Sequence, residues 1–537
     1  MTSTTTQPRW GMVVDINRCV GCQTCTIACK HANDTLPGVQ WRSVLDVELG
    51  TFPDVQREFL VVGCQHCAEP PCVPVCPSGA TAQRADGLVT MDYDLCIGCA
   101  YCAVSCPYQA RTITHEQDWY YGVETRQEQT VAHADRIGVA QKCTFCIERV
   151  DEGLMQGRKP GEDLDYTPAC AASCVAEAIS FGDFNDSDSR VARLVADNAS
   201  FQMHAELGTD PQVKYLYELA ATPGREPAPS DLDDTVMSDP ANPLVGKLQP
   251  FWDFRAAMNF ILGGMGSALA FLAMLNQVFW GLPETALQYI FIAAGIFMAV
   301  GLTFVWMEIG RKLRFLHVFY RPHSSWMTRE AYVVGLYYMA VFAGLIWPQP
   351  WLYVLAGILA IGFLYCQARI LYAAKGIPAW RAPLIPWMIF SSGLLEGTGL
   401  YMLSHVLAPA SVPFTKPMYS LAVPLVIITG CLWIGYRMTA KRVGIPPLAR
   451  RVLNRVSPFV VGIGYIVPLL GLAVLDRTGQ TGPVLFAITG SCAVFGGALW
   501  KFTVITRASY QQGFSLPKIP QRGSGTRAAP VRTHVPV

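Results

Sequence analysis

The sequence predicts a two-part fold, a cysteine-rich α+β domain followed by an all-α domain of eight transmembrane helices. Three observations predict it. Of 19 cysteines, 16 fall between Cys19 and Cys174. Beyond about residue 254 the chain is dominated by apolar runs of roughly 20 residues, the length that spans a bilayer core. Between the halves lies EPAPSDLDDTVMSDPANPLVGKLQP, rich in Pro, Asp and Ser with little to bury, which reads as a linker. The expected boundaries are 1–225 for the first domain, 226–253 for the linker, 254–512 for the membrane domain and 513–537 for a loose tail. The net charge of +1 gives no bulk electrostatic case for nucleic acid. The start, MTSTTTQPRWGMVVDINRC, has neither an apolar stretch nor a twin-arginine pair, so no signal peptide is expected.

The cysteines fall into four groups. Cys19, Cys22, Cys25 and Cys29 are spaced C-x2-C-x2-C-x3-C, and Cys96, Cys99, Cys102 and Cys106 repeat that spacing. Cys64, Cys67, Cys72 and Cys76 form C-x2-C-x4-C-x3-C. Cys143 and Cys146, then Cys170 and Cys174, make a split fourth group. DINRCVGCQTCTIAC matches DYDLCIGCAYCAVSC, an internal repeat of a ferredoxin-type unit. Three thiolates on one tight loop can hold three irons of a cubane, while the fourth cysteine of the run reaches the partner cluster. Gly21 and Gly98 let the loop curl, and Pro77 and Pro107 follow the fourth cysteines. The expectation is four [4Fe–4S] clusters, since no group has lost a ligand. Cys64, Cys67, Cys72 and Cys106 are expected on one cluster, and Cys96, Cys99, Cys102 and Cys76 on its partner. Disulfides are disfavoured without export, and zinc rarely uses three cysteines so spaced. Lys30, Arg111, Lys142 and Arg149 are candidates to raise cluster potentials, with solvated charge as the plain alternative. His66 reads as a loop hydrogen-bonder. Cys366, Cys431 and Cys492, in apolar runs, read as small hydrophobes packed between helices.

The eight expected spans are about 257–279, 286–306, 331–347, 351–372, 384–404, 419–436, 457–475 and 483–504. Basic residues crowd one set of loops, around Arg311–Arg329, Arg369–Arg381 and Arg437–Arg455, and the tail. Only Lys416 and Arg477 mark the other side. The positive-inside rule makes the basic side cytoplasmic, with the N-terminal domain and the C-terminus on that side of a cytoplasmic membrane. Ionisable residues in or beside spans are functional candidates by default. Glu308 ends the second span, Glu330 opens the third, and His317 lies between them, on the side where a quinone could meet the last cluster. Glu396, mid-span in the fifth, is a candidate for proton transfer. The plain alternatives are ion pairs with loop cations, such as Glu308 with Arg311 or Lys312, and a protonated buried Glu396.

The runs CQHCAEPPCVPVCPSGA, AQKCTFCIERVDEG and TPACAASC resemble the four-cluster electron-transfer subunit of complex iron–sulfur molybdoenzymes, over roughly residues 9–220. EIGRKLRFLHVFYRPHSSWMTREA, GIPAWRAP and KFTVITRASYQQGFSLP resemble the membrane anchor of the dimethyl sulfoxide reductase type. The resemblance implies a ferredoxin-like first domain whose first and fourth groups also pair. Cys19, Cys22, Cys25 and Cys174 would bind one cluster, and Cys143, Cys146, Cys170 and Cys29 the other. It implies a quinol-binding role for Glu330. A second implicated position, a His in that family, falls here near Glu308. It also implies a separate catalytic subunit holding the molybdenum bis-pyranopterin guanine dinucleotide, for which this chain has no domain. The expected function is electron transfer between that cytoplasmic subunit and membrane quinone, with substrate oxidation of the sulfite dehydrogenase kind favoured. The alternatives are a quinol-oxidising reductase subunit (dimethyl sulfoxide, polysulfide, tetrathionate or arsenate), a phenylacetyl-CoA:acceptor oxidoreductase subunit, or a tethered ferredoxin hub.

Overall fold

The structure is a computed structural model that describes residues 7–51, 53–131, 133–217, 236–478 and 482–514. The N-terminal domain threads short strands between cysteine loops. In chain order the strands are β1 (Trp10–Asp15), β2 (Arg42–Thr51), β3 (Asp54–Gly63), β4 (Thr81–Gln83), β5 (Val89–Met91), β6 (Thr112–Ile113), β7 (Ala140–Gln141), β8 (Ile179–Asp183), β9 (Ser200–Phe201) and β10 (Val213–Leu216). The helices are α1 (Thr24–Ala32), α2 (Tyr101–Val104), α3 (Arg126–Val131), α4 (Ile147–Met155), α5 (Ala169–Ala172) and α6 (Arg190–Asp197). One mixed sheet, ordered β8-β1-β10-β9, closes the domain by bringing residues after 178 back beside β1. That return carries Cys170 and Cys174 toward the first cysteine loop. The internal repeat is visible in the backbone. Gly21 and Gly98 sit at φ 70° and 72°, and Gln23 and Ala100 both at φ 60°. The left-handed residues open each loop so that α1 and α2 can start one residue before its next cysteine, Cys25 and Cys102.

The C-terminal half is a helical bundle. Its helices are α7 (Phe254–Trp280), α8 (Glu284–Glu308), α9 (Trp326–Ile346), α10 (Pro350–Ala373), α11 (Ile385–Leu407), α12 (Lys416–Thr439), α13 (Pro447–Val461), α14 (Val467–Thr478) and α15 (Pro483–Thr506). Asp253 caps α7 by accepting from the Arg255 N–H at 2.7 Å. Proline occupies the first turn of α10, α11, α12, α13 and α15, where its missing N–H costs nothing. A π-helical turn, Gly462–Ile466, joins α13 to α14 into one length.

Eight membrane spans were expected. Among the described residues seven helices are long and apolar enough to cross a membrane. The expected span 384–404 is the exception. It forms α11, of similar length and deep in the bundle, yet it carries Ser391, Ser392, Glu396, Thr398 and His405. Its glycines serve close packing rather than hydrophobicity. A Cβ on Gly397 would lie 2.5 Å from that of Ala268, and one on Gly399 2.5 Å from the Gly490 carbonyl. Cys431 also departs from expectation. Cys366 is buried, but Cys431 is exposed. It lies on the outward side of α12, whose buried residues are Met418, Ala422, Val426, Thr429, Trp433 and Tyr436.

Residues 226–235 of the expected linker, and 515–537 of the expected tail, lie outside the described residues. From Leu244 onward the chain is packed: Leu244 and Trp252 are buried, and Leu248 bridges Tyr510. The two halves share one hydrophobic core, in which Tyr101, Val104 and Val139 continue into Trp252, Phe260, Ile370 and Trp380. The loops after α8 and α10 touch the N-terminal domain directly. Gly310 N–H donates to Gly98 O at 3.3 Å, and Arg311 N–H to Ile97 O at 3.0 Å. A Cβ on Gly310 would fall 2.1 Å from the Gly138 carbonyl. Gly310→Ala should therefore cost about 1–3 kcal/mol at this contact. Thermal release of the N-terminal domain to protease, at lower temperature than in the parent chain, checks this. An unchanged profile would contradict it.

Candidate functional site

The cysteines gather in the crossed sets. Cys19, Cys22, Cys25 and Cys174 line one cavity of about 320 Å³. Cys64, Cys67, Cys72 and Cys106 line a second, of about 330 Å³. Cys76, Cys96, Cys99 and Cys102 line a third, of about 280 Å³. The fourth set is brought together around Cys29, whose thiol is acted on by those of Cys143, Cys170 and Cys146. The Asn33 amide nitrogen reaches both Cys29 Sγ, at 3.7 Å, and Cys146 Sγ, at 3.6 Å. Among the described residues, no three metal-binding side chains converge on a single ion. The sulfurs instead surround a volume, which suits a polynuclear cluster. Burial pushes the Cys102 and Cys106 thiols up to about 12, and those of Cys143 and Cys170 up to about 11. Such thiols ionise at neutral pH only when a metal takes the proton's place.

The supporting residues are tightly placed. Burial, with Lys142 beside it, holds His66 well below the ordinary histidine range. His66 Nδ1 accepts from the Val89 N–H at 3.1 Å, so its Nε2–H donates to the Cys143 carbonyl at 3.0 Å. It thus ties the second group to the fourth as a hydrogen-bonder. Lys142 Nζ donates to the Cys143 carbonyl at 2.7 Å. Lys30 Nζ is taken up by the Thr35 and Leu36 carbonyls, at 2.9 and 2.7 Å.

A cavity lies where the two halves meet. Cys99, Trp252, Asn259, Phe260, Glu308 and Glu330 are among its lining residues. The structure thus brings together Glu308 and Glu330, and sets both beside a cysteine of the third cavity. Glu308 accepts from the Asp253 N–H at 3.3 Å. Asn259 and Gln367 are the polar neighbours of the Glu330 carboxyl, whose Oε1 has no hydrogen-bond partner. Trp252 donates from Nε1 to the Cys99 carbonyl at 3.0 Å, pinning the α7 start to the cysteine loop. Tyr101 does the same from the other side, donating to the Ile370 carbonyl at 2.8 Å.

Two sequence candidates lie elsewhere. His317 faces the Leu95 carbonyl at 3.2 Å and stacks on Tyr320, so it braces the domain contact rather than the cavity. Glu396 pairs with Lys501 at 2.8 Å, and both side chains are fully buried. Lys501 Nζ also donates to the Phe260 carbonyl at 3.2 Å. Sequence reading missed Trp252, Asn259 and Lys501. Asn259 carried a usable signal, as a polar residue inside the first apolar run.

Gathered cysteine sets, joined to a bundle of membrane-length helices, define an iron–sulfur electron-transfer protein with a membrane segment. Residues 55–121 match the 4Fe-4S dicluster domain family. The chain is 40% identical over 224 residues to a selenate reductase subunit of Mesobacillus selenatarsenatis, covering 39% of this chain and 72% of that protein. It is 37% identical over 221 residues to a sulfite dehydrogenase subunit of Allochromatium vinosum, covering 38% and 81%. It is 36% identical over 246 residues to a tetrathionate reductase subunit of Salmonella typhimurium, covering 45% and 78%. Over roughly its N-terminal 40% the chain belongs to the iron–sulfur subunits of molybdoenzymes, which carry electrons within oxidoreductase complexes. The helical half follows as a multi-helix apolar region.

Proposed function

We propose that this chain passes electrons between a molybdopterin catalytic subunit and membrane quinone through four [4Fe–4S] clusters. The observation that carries the reading is the cavity that Glu308 and Glu330 line together with Cys99. Each bound cluster supplies one-electron redox chemistry, and the chain's own residues hold, space and insulate them. The ligand sets are the four crossed ones: Cys19, Cys22, Cys25 and Cys174; Cys29, Cys143, Cys146 and Cys170; Cys64, Cys67, Cys72 and Cys106; and Cys76, Cys96, Cys99 and Cys102. The fit rests on the donor chemistry, four cysteines per set with buried cations nearby. At the cavity Glu330, with its uncommitted Oε1, would hand a proton to one quinone carbonyl, and Glu308 would serve the other end of the ring. Phe260 and Trp252 would exclude water.

The opposite end of the cysteine array suits the partner. Cys22 is exposed, and Val20, Ile27 and Val175 around the same set are exposed hydrophobics. Interfaces draw on such patches. The direction we favour is substrate oxidation, sulfite dehydrogenase-like. The basic loops around Gly310 and Gly376 lie at the end of the bundle that carries the N-terminal domain, so that end is assigned to the cytoplasm. Reductase names among the relatives support the reverse direction as the second reading. Purifying the native chain with its partners tests the first reading: a molybdenum protein should accompany it, and its absence would sink the proposal.

The crossing has its own test. Cys106→Ser should perturb the cluster of Cys64, Cys67 and Cys72 and spare the cluster of its own run. Spectral assignment of the reduced clusters checks this. Loss of the signal assigned to Cys96, Cys99 and Cys102 would contradict it.

A further inference from the structure

Arg42 is the first residue of β2 and is 1% exposed. A buried guanidinium is costly unless a negative group faces it. Here its Nη2 reaches the Met12 sulfur at 3.2 Å, its Nε and Nη1 have no hydrogen-bond partner, and the Cys170 thiol lies within its hydrogen-bonding reach. The groups whose charge it meets are Cys170, Cys143 and Cys29 of one set, with Tyr215 behind. Cys25, of the neighbouring set, also feels it. Space for the side chain comes from Gly63, paired with Arg42 across the hairpin. A Cβ there would lie 3.1 Å from Arg42 Nη1. The second half of the array repeats the device. Arg111 is 4% exposed, its Nη2 has no partner, and it faces Cys102 of one set and Cys72, Cys64 and Cys106 of the other.

We infer that Arg42 is the built-in counter-charge of the cluster held by Cys29, Cys143, Cys146 and Cys170, and that it raises that cluster's reduction potential. The inference rests on the ligand sets proposed above. A cluster bound by four thiolates is anionic and gains one negative charge on one-electron reduction, so a fixed buried cation favours the reduced form. Arg42 is a positioning charge and touches no substrate. Arg111 plays the matching part in the other pair.

Redox titration of the full chain in its membrane, followed by paramagnetic resonance with iron analysis, tests this. Arg42→Met removes the charge and keeps much of the volume. Its potential for one cluster should fall by at least a tenfold change in the equilibrium constant, about 59 mV for one electron. Arg42→Lys, keeping charge, should hold nearer the parent value. Parent iron content with no shift in any cluster overturns the inference while leaving the ligand sets standing. A parent chain with fewer than four clusters overturns the ligand sets themselves. If Arg42→Met loses iron, Arg42→Lys decides. A retained cluster near the parent potential supports the charge role, whereas iron loss in both variants assigns Arg42 to assembly and overturns it.

Discussion

Replacing Glu330 with Gln should slow quinone-coupled turnover by about 10²–10⁴-fold, the range spanned by removing one positioned proton donor. Gln keeps the shape and hydrogen-bonding reach of the carboxyl but cannot deliver its proton. The helix should be undisturbed, because Glu330 lies in the first turn and a half of α9, where Thr328 and Ser325 already fasten the chain to the Val318 and Val75 carbonyls at 2.6 and 2.9 Å. Cluster spectra and iron content should therefore match the parent. Steady-state assay with a soluble quinone analogue, beside an artificial electron acceptor that bypasses the cavity, separates the outcomes. Equal loss with both acceptors would mean that Glu330 supports the fold and that the cavity has been misassigned.

The second large effect belongs to the Glu396–Lys501 pair. Lys501→Met strands a carboxylate at the centre of the bundle, and breaking a buried ion pair from one side costs about 3–5 kcal/mol. The surrounding helices leave no slack: a Cβ on Gly497 would sit 2.1 Å from Glu396 Oε1, and one on Gly264 2.7 Å from Lys501 Nζ. Lys501→Met with Glu396→Gln should recover most of the loss, because neither charge is then left alone. Thermal unfolding in detergent, arranged as a double-mutant cycle, measures the coupling. Additive losses would contradict the pairing. A fall in quinone turnover in Glu396→Gln at unchanged stability would instead support proton transfer through Glu396.

Much of this was legible from spacing. The cysteine runs mark the loops, and Glu308 and Glu330, at the ends of neighbouring apolar runs, come together beside Cys99; the pairing of the first group with the fourth came from the resemblance and not from spacing. What resisted reading shares a cause: each missed residue gains its meaning from a partner far along the chain. Lys501, at the end of the last apolar run, reads as a snorkelling cation. Only the packing of α15 against α11 turns it toward Glu396, 105 positions earlier. Arg42 opens a strand of charged, alternating sequence and looks solvated, until Gly63 and the return of Cys170 enclose it. Trp252 sat in what reads as linker, and its role follows from the Cys99 carbonyl. The eighth span failed for the opposite reason: α11 has the length, but its polar and glycine positions serve packing inside the bundle.

The most direct test of electron exchange at the cavity is anaerobic mixing of the full chain, in its membrane and with its clusters chemically reduced beforehand, with an oxidised quinone analogue while cluster absorbance is followed. Recovery of the cluster absorbance, slowed in Glu330→Gln but unchanged with a small chemical oxidant, is the predicted result. Clusters that respond to the chemical oxidant and never to the quinone would contradict electron exchange there.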